Sequence, residues 1–170
     1  KIPFVDLYPQ YEELQTEIDM AIKDVILRSD YITGPTVEKF EKAICEYTGA
    51  EHCASIGSGT NALTCALKAL GIGEGDEVMT VGHTFVSTTE SILNVGAKPL
   101  FVDIDEFYHL DVDQLRKITG SIEFVSPSIK AILFVDLYGQ TPDIDKINKF
   151  AKEFNLKVIE DAAQSFGAEY

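Results

Sequence analysis

Four short stretches of this sequence combine residue types that could hold and activate a small molecule. Gly57-Ser58-Gly59-Thr60 is a glycine-rich turn. If it opens a helix, its free backbone N–H groups and the positive end of the dipole would cradle a phosphate without any basic side chain. Gly82-His83-Thr84-Phe85 offers an imidazole and an aromatic ring broad enough to lie on a flat ligand. Asp136-Leu137-Tyr138-Gly139-Gln140 and Asp161-Ala162-Ala163-Gln164-Ser165 each place a carboxylate directly after an apolar run. Each stretch also has a plainer reading. The first is equally a tight turn capped by Thr60, a strand-end aspartate is more often a helix cap, an aromatic opening a helix is usually core, and a lone histidine is more often structural.

The elements that must position these residues follow from periodicity. From Pro9 to Arg28 the apolar residues Leu14, Ile18, Ala21, Ile22, Val25 and Ile26 recur at three- and four-residue steps, which predicts one amphipathic helix. Tyr31 to Pro35 breaks it. A second helix is expected over Thr36–Thr48, stopped by Gly49, with Lys39 where a capping box would have Glu. Strand-like runs at His52–Ile56, Glu77–Val81, Pro99–Ile104, Lys130–Val135 and Lys157–Glu160 then alternate with helical patterns at Asn61–Leu70, Thr84–Asn94, Asp111–Ile118 and Pro142–Phe154. The least regular stretch is Gly120–Ser128. Runs such as Ala131-Ile132-Leu133-Phe134-Val135 are apolar throughout, as strands are when helices cover both faces of a sheet. The fold class is therefore α/β, alternating β/α with a mostly parallel sheet. In such a sheet ligands bind beyond the carboxyl ends of the strands, where all four stretches fall.

Composition narrows the chemistry. The 170 residues include 28 acidic and 14 basic ones, a net charge of −14, with the basic residues scattered. Nucleic-acid binding through phosphate neutralisation is not expected. No apolar run is long enough to span a bilayer, and the start of the chain has no leader-like core. Three cysteines, Cys45, Cys53 and Cys65, without C-x-x-C spacing, fit a reducing compartment, so a cytoplasmic protein without membrane association is expected. Cys45 and Cys65 fall inside helical patterns and read as small hydrophobes. His52 and His109 lack partners at ligand spacing, and no metal site is expected. The pairs Asp103/Asp105 and Asp143/Asp145 look like strand-end turns and helix caps rather than a glycosidase or Mg²⁺ pair.

Gly57 to Ala62 also satisfies G-x-G-x-x-A, the dinucleotide fingerprint, but the next strand ends in Val81-Gly82-His83 and lacks the acidic residue that would hold a ribose. A different ligand explains the set better. A carboxylate at Asp161 facing a pyridine nitrogen would keep that nitrogen protonated, the arrangement that makes pyridoxal phosphate an electron sink. Phe85 would stack on the ring and the Gly59-Thr60 turn would take the phosphate.

Further motifs then point one way. Pro3-Phe4-Val5-Asp6-Leu7, Tyr31-Ile32-Thr33-Gly34-Pro35, Gly57 to Leu63, Gly73-Glu74-Gly75-Asp76-Glu77-Val78, His83-Thr84-Phe85, Leu137-Tyr138-Gly139-Gln140 and Glu160 to Ala168, in this order, resemble the DegT/DnrJ/StrS family of pyridoxal-phosphate sugar aminotransferases, of the aspartate aminotransferase fold, fold type I. The resemblance implies that Gly59 and Thr60 hold the cofactor phosphate, Phe85 stacks on the ring, Asp161 pairs with the pyridine nitrogen as the catalytic carboxylate, and Gln164 contacts the ring's hydroxyl side. It implies a keto sugar nucleotide as substrate, glutamate as amino donor, a homodimer with a shared active site, and a place in amino sugar and polysaccharide biosynthesis. Residues 1–35 would be an N-terminal helical arm and 36–170 part of the large cofactor-binding domain. The family's Schiff-base lysine lies after the Glu-Asp-Ala-Ala-Gln stretch, so this chain alone is expected to be inactive. Val81 and Gly82 stand where many relatives have proline, and Asp136 where some have histidine or serine. In Gln164 and His83-Thr84-Phe85 the chain resembles relatives acting on 3-keto sugars more than those acting on 4-keto sugars, so the resemblance implies a 3-keto substrate. The alternatives are a pyridoxamine-dependent sugar dehydratase of the same fold and a non-catalytic sensor or regulator.

Overall fold

In the computed structural model, residues 2–118 and 126–170 are described, so part of the irregular Gly120–Ser128 stretch lies outside the described residues. The chain divides into two compact units, Lys1–Ser55 and Ile56–Tyr170.

The first unit is helical. α1 spans Tyr8–Arg28, with Pro9 in its first turn, where the missing N–H costs nothing. It ends on Ser29 in the left-handed region at φ 57°. Arg28 bonds Asp24 at 2.8 Å, Asp30 at 3.0 Å and the Thr36 hydroxyl at 2.8 Å, tying the end of α1 to the start of the next helix. That helix, α2, spans Pro35–Thr48. Its cap is Gly34 at φ 119°, and the helix starts at Pro35, one step before the Thr36 start expected from sequence, because proline is pre-set for the first helical position. Gly49 ends it at φ 74°, as expected, its amide donating to the Cys45 carbonyl at 2.9 Å. No residue of either helix is buried.

The expected strand at His52–Ile56 is not formed. A strand exists only as one side of a ladder, and no described segment runs beside this one. The Ser55 amide donates instead to Glu41 Oε1 at 2.7 Å.

The second unit carries α3 (Gly59–Ala69), β1 (Glu77–Val81), α4 (Ser87–Asn94), β2 (Lys98–Val102), α5 (Val112–Ile118), β3 (Ile129–Val135), a 3₁₀ turn at Leu137–Gly139, α6 (Ile144–Glu153) and β4 (Lys157–Asp161). The four strands form one sheet in the order β2-β1-β3-β4, and every pairing is parallel. From Asn61 onward, the alternation expected from sequence is thus the alternation observed, without the first expected strand. β3 is buried on both faces, with Ala131, Ile132 and Leu133 fully inaccessible, and β1 adds Val78, Met79 and Val81 to the same core. Pro99 is tolerated because β2 is an edge strand. β2 stops at Val102; Ile104 forms only an isolated antiparallel bridge to Leu110.

The chain runs outward from β1 to β2 and then returns to the far side of β1 to form β3. The order therefore reverses between β1 and β3, which opens the crevice at their carboxyl ends where ligands bind in such sheets.

Candidate active site

The turn Gly57-Ser58 leads into α3 as expected, but its cap is Ser58 and not Thr60. Ser58 Oγ accepts the Asn61 amide at 3.2 Å and the Ser58 carbonyl takes the Ala62 amide at 2.9 Å. The first-turn amides of Gly59 and Thr60 are left for another acceptor. Thr60 is thereby free to use its hydroxyl across the fold, where it meets Ser87 Oγ at 2.7 Å.

Ser87 opens α4, whose buried face is unusually polar: Ser87, Thr88 and Ser91 accompany Ile92. Thr88 donates to Asp161 Oδ2 at 3.4 Å and meets Thr84 Oγ1 at 3.1 Å. Consecutive α4 residues therefore connect Thr60, at the start of α3, with Asp161, at the end of β4. This hydroxyl seam was not expected from sequence. Its signal was present in Ser87-Thr88-Thr89 followed by Ser91, polar residues on what periodicity assigns to the inner face.

Asp161 is half-buried, and its other oxygen accepts the Ala163 amide at 3.2 Å, which folds the chain into the turn that carries Gln164. Gln164 Oε1 accepts the Tyr138 amide at 2.8 Å, and its NH₂ has no partner among the described residues. Gly139, at φ 86°, holds a left-handed backbone that a side chain would strain, and a Cβ there would lie 3.4 Å from the Gln164 carbonyl oxygen. Phe85 is 67% exposed, so it is not core; its carbonyl accepts the Thr88 amide at 3.1 Å, fixing the loop into α4. A groove of about 340 Å³ runs between α3 and the end of β4, bordered by Gly59, Ala62, Ala66, Ile159 and Asp161.

His83 lies at the switch point. Its Nε2 is 3.3 Å from the Tyr138 hydroxyl, and its ring stacks on Tyr108 with centroids 5.3 Å apart. Both tyrosines have left-handed backbones, at φ 69° and 61°. Such positions in non-glycine residues cluster where function has selected them. On the sheet's other face, the buried Asp136 accepts from the Ser165 hydroxyl at 2.8 Å. Partial desolvation and the neighbouring Asp136 push the Glu160 carboxyl above its ordinary range.

The remaining candidates resolve simply. Asp103 and Asp105 accept loop amides and Asp143 caps α6, as the sequence suggests. Cys65 is exposed and not packed as a small hydrophobe; the buried residues of α3 are Leu63 and Leu67. Among the described residues no group of three or more His, Cys, Asp and Glu is placed to hold a metal, and no helix is long and apolar enough to cross a membrane.

With this geometry in hand, the sequence matches the DegT/DnrJ/EryC1/StrS aminotransferase family over residues 12–170. The chain belongs to that family. It is 44% identical to the UDP-2-acetamido-2-deoxy-3-oxo-D-glucuronate aminotransferase of Pseudomonas aeruginosa, over 99% of this chain and 46% of that protein. Its fold superposes on the crystal structure of S. venezuelae DesV with a TM-score of 0.94 at 37% identity, covering 100% of this chain and 44% of that one. The structure of Bacillus subtilis NtdA with the cofactor PMP bound gives a TM-score of 0.90 at 32% identity, over 98% of this chain and 38% of the other. The chain spans less than half the length of these relatives.

Proposed function

We propose that this chain is the cofactor-binding part of a pyridoxal-phosphate-dependent aminotransferase that turns a keto sugar nucleotide into an amino sugar nucleotide, with a 3-keto sugar favoured and glutamate as amino donor. The observation that carries the reading is the pairing of two features through α4. The amide-rich start of α3 and the carboxylate of Asp161 border one groove and are joined by Ser87 and Thr88. A phosphate and a ring nitrogen are the two ends of one cofactor, and these are the groups that such features recognise.

When bound, pyridoxal phosphate supplies an electron sink for bond breaking at the amino-bearing carbon. The Gly59 and Thr60 amides hold the phosphate, with the Thr60 hydroxyl oriented by Ser87. Asp161 holds a proton on the ring nitrogen, and Thr88 fixes the carboxylate that does so. Phe85, exposed and anchored by its carbonyl, covers a ring face and excludes water. Gln164, braced against the Tyr138 amide, turns its NH₂ toward the ring's hydroxyl side. Backbone amides suit a chain of net charge −14, since they bind an anion without a basic patch.

The named activity of the Pseudomonas aeruginosa relative supports amination of a 3-oxo sugar over dehydration. We extend the reading to a homodimer with a shared active site, which the uncovered apolar residues of α1 support, with residues 1–35 as an arm and 36–170 as part of the large domain. Free cysteines support a cytoplasmic location.

The test uses the complete protein that carries this chain. Asp161→Ala should abolish amino transfer from L-glutamate while far-UV circular dichroism stays unchanged; near-normal turnover would remove Asp161 from the role. Thr60→Ala should bind pyridoxal phosphate roughly tenfold more weakly, as loss of one or two hydrogen bonds to a charged group implies.

A further inference from the structure

Asp136 follows β3 directly and is 1% exposed. Its amide donates to the Asp161 carbonyl at 3.1 Å, and its Oδ2 accepts from the Ser165 hydroxyl at 2.8 Å, Ser165 being itself buried. It thus grips the turn bearing Asp161 and Gln164 at both ends. Its Oδ1 is buried with no hydrogen-bond partner among the described residues. Because Val135 pairs with Asp161 and Phe134 with Glu160, side-chain alternation puts Asp136 and Glu160 on one face of the sheet and Asp161 on the other. The same register sets Glu160 beside Asp136, with the orphaned Oδ1 on the face they share.

We propose that Asp136 is a positioning residue, which through Ser165 and the Asp161 carbonyl sets the turn that presents Asp161 and Gln164, with Glu160 as the hydrogen-bond donor to its second oxygen. The inference rests on the role given to Asp161 above. Two carboxyl groups hydrogen-bond only when one keeps its proton, and partial desolvation followed by the proximity of Asp136 holds the Glu160 carboxyl, on a side chain that is otherwise exposed, above its ordinary range. Among the described residues of the packed elements, Lys157 is at the far end of β4, Asp161 faces the opposite side, and α6, packed against β4, turns Ile147, Phe150 and Ala151 inward. A raised acid contributes stability below its unfolded pKa and loses it as pH rises through its folded pKa. Above that point the two carboxylates repel and the turn loosens.

The experiment measures pyridoxal phosphate affinity by visible absorption, and thermal unfolding without cofactor, across pH 5 to 9 in the complete protein. Asp136→Ala and Ser165→Ala should each weaken the cofactor roughly tenfold, and the double variant no further, because each breaks the same link. Glu160→Gln keeps a donor that cannot ionise. It should hold wild-type affinity at low pH and keep both affinity and melting temperature level where the wild type declines. Affinity within twofold of wild type in Asp136→Ala, or one shared pH dependence for Glu160→Gln and wild type, would overturn the proposal. Failure of the wild type to take up pyridoxal phosphate would instead remove the cofactor reading, and with it the role of the turn. The pH dependence of unfolding would still decide whether the acid pair exists.

Discussion

α1 and α6 share a pattern and meet different fates. Both carry apolar residues at helical spacing, yet α1 buries none of its residues, with Ile22 and Ile26 55% and 54% exposed, while Ile147 and Phe150 of α6 are 0% and 1% exposed. The difference lies in what each helix has within its own unit. α6 lies on β4 and beside α5, and Arg116 of α5 sits 5.4 Å from the Phe150 ring centroid while bonding Glu153 at 2.7 Å. α1 has no sheet in its unit to lie on. Periodicity states which face a helix would bury; only a partner surface makes it do so.

The largest effect should come from Phe150→Ala, which removes a fully buried ring from the α6 face and should cost about 3–5 kcal/mol in urea unfolding. A loss as small as that of a surface residue would break the contrast. Ile22→Asp should leave the unfolding free energy of the subunit within about 0.5 kcal/mol, as for an exposed position, while shifting the complete protein toward monomer in sedimentation. Unchanged sedimentation would detach the α1 stripe from the proposed dimer. Asp143→Ala should be the smallest. The Lys146 amide, then the Lys146 side chain, hold the Asp143 carboxyl below its ordinary range. Its contribution is present above the ordinary aspartate pKa and lost as pH falls through the depressed one. The variant should therefore melt slightly below wild type at pH 7 and coincide with it in strong acid. A gap that persists there would assign the effect to something other than the carboxylate.

Local chemistry made much of this legible. Glu77–Val81 was readable to the residue, and the left-handed cap at Gly49 needed only a glycine after a helical run. The strand expected at His52–Ile56 failed because apolar composition gives a tendency to pair and says nothing of a neighbour. At the site, Asp161 and the Gly59-Thr60 turn stood out because each follows an apolar run. The links between them did not, since Thr60–Ser87 and Thr88–Asp161 join residues far apart in sequence whose hydroxyls look like ordinary helix-start residues. The role of Asp136 was hidden for the same reason. Sequence showed it as a departure from a common histidine or serine, and only the register of β3 against β4 sets it beside Glu160.

The order β2-β1-β3-β4 also has a consequence for synthesis. Once Val102 has left the ribosome, β1 can pair with β2, but its other edge stays open until β3 follows, some 30 residues later. At about 5–20 residues per second this is a delay of roughly 2–6 s, during which an apolar strand edge, Val78-Met79-Thr80-Val81, is available to any passing chain. A strand that ends in the interior of the sheet is thus the one a nascent-chain chaperone would have most reason to guard.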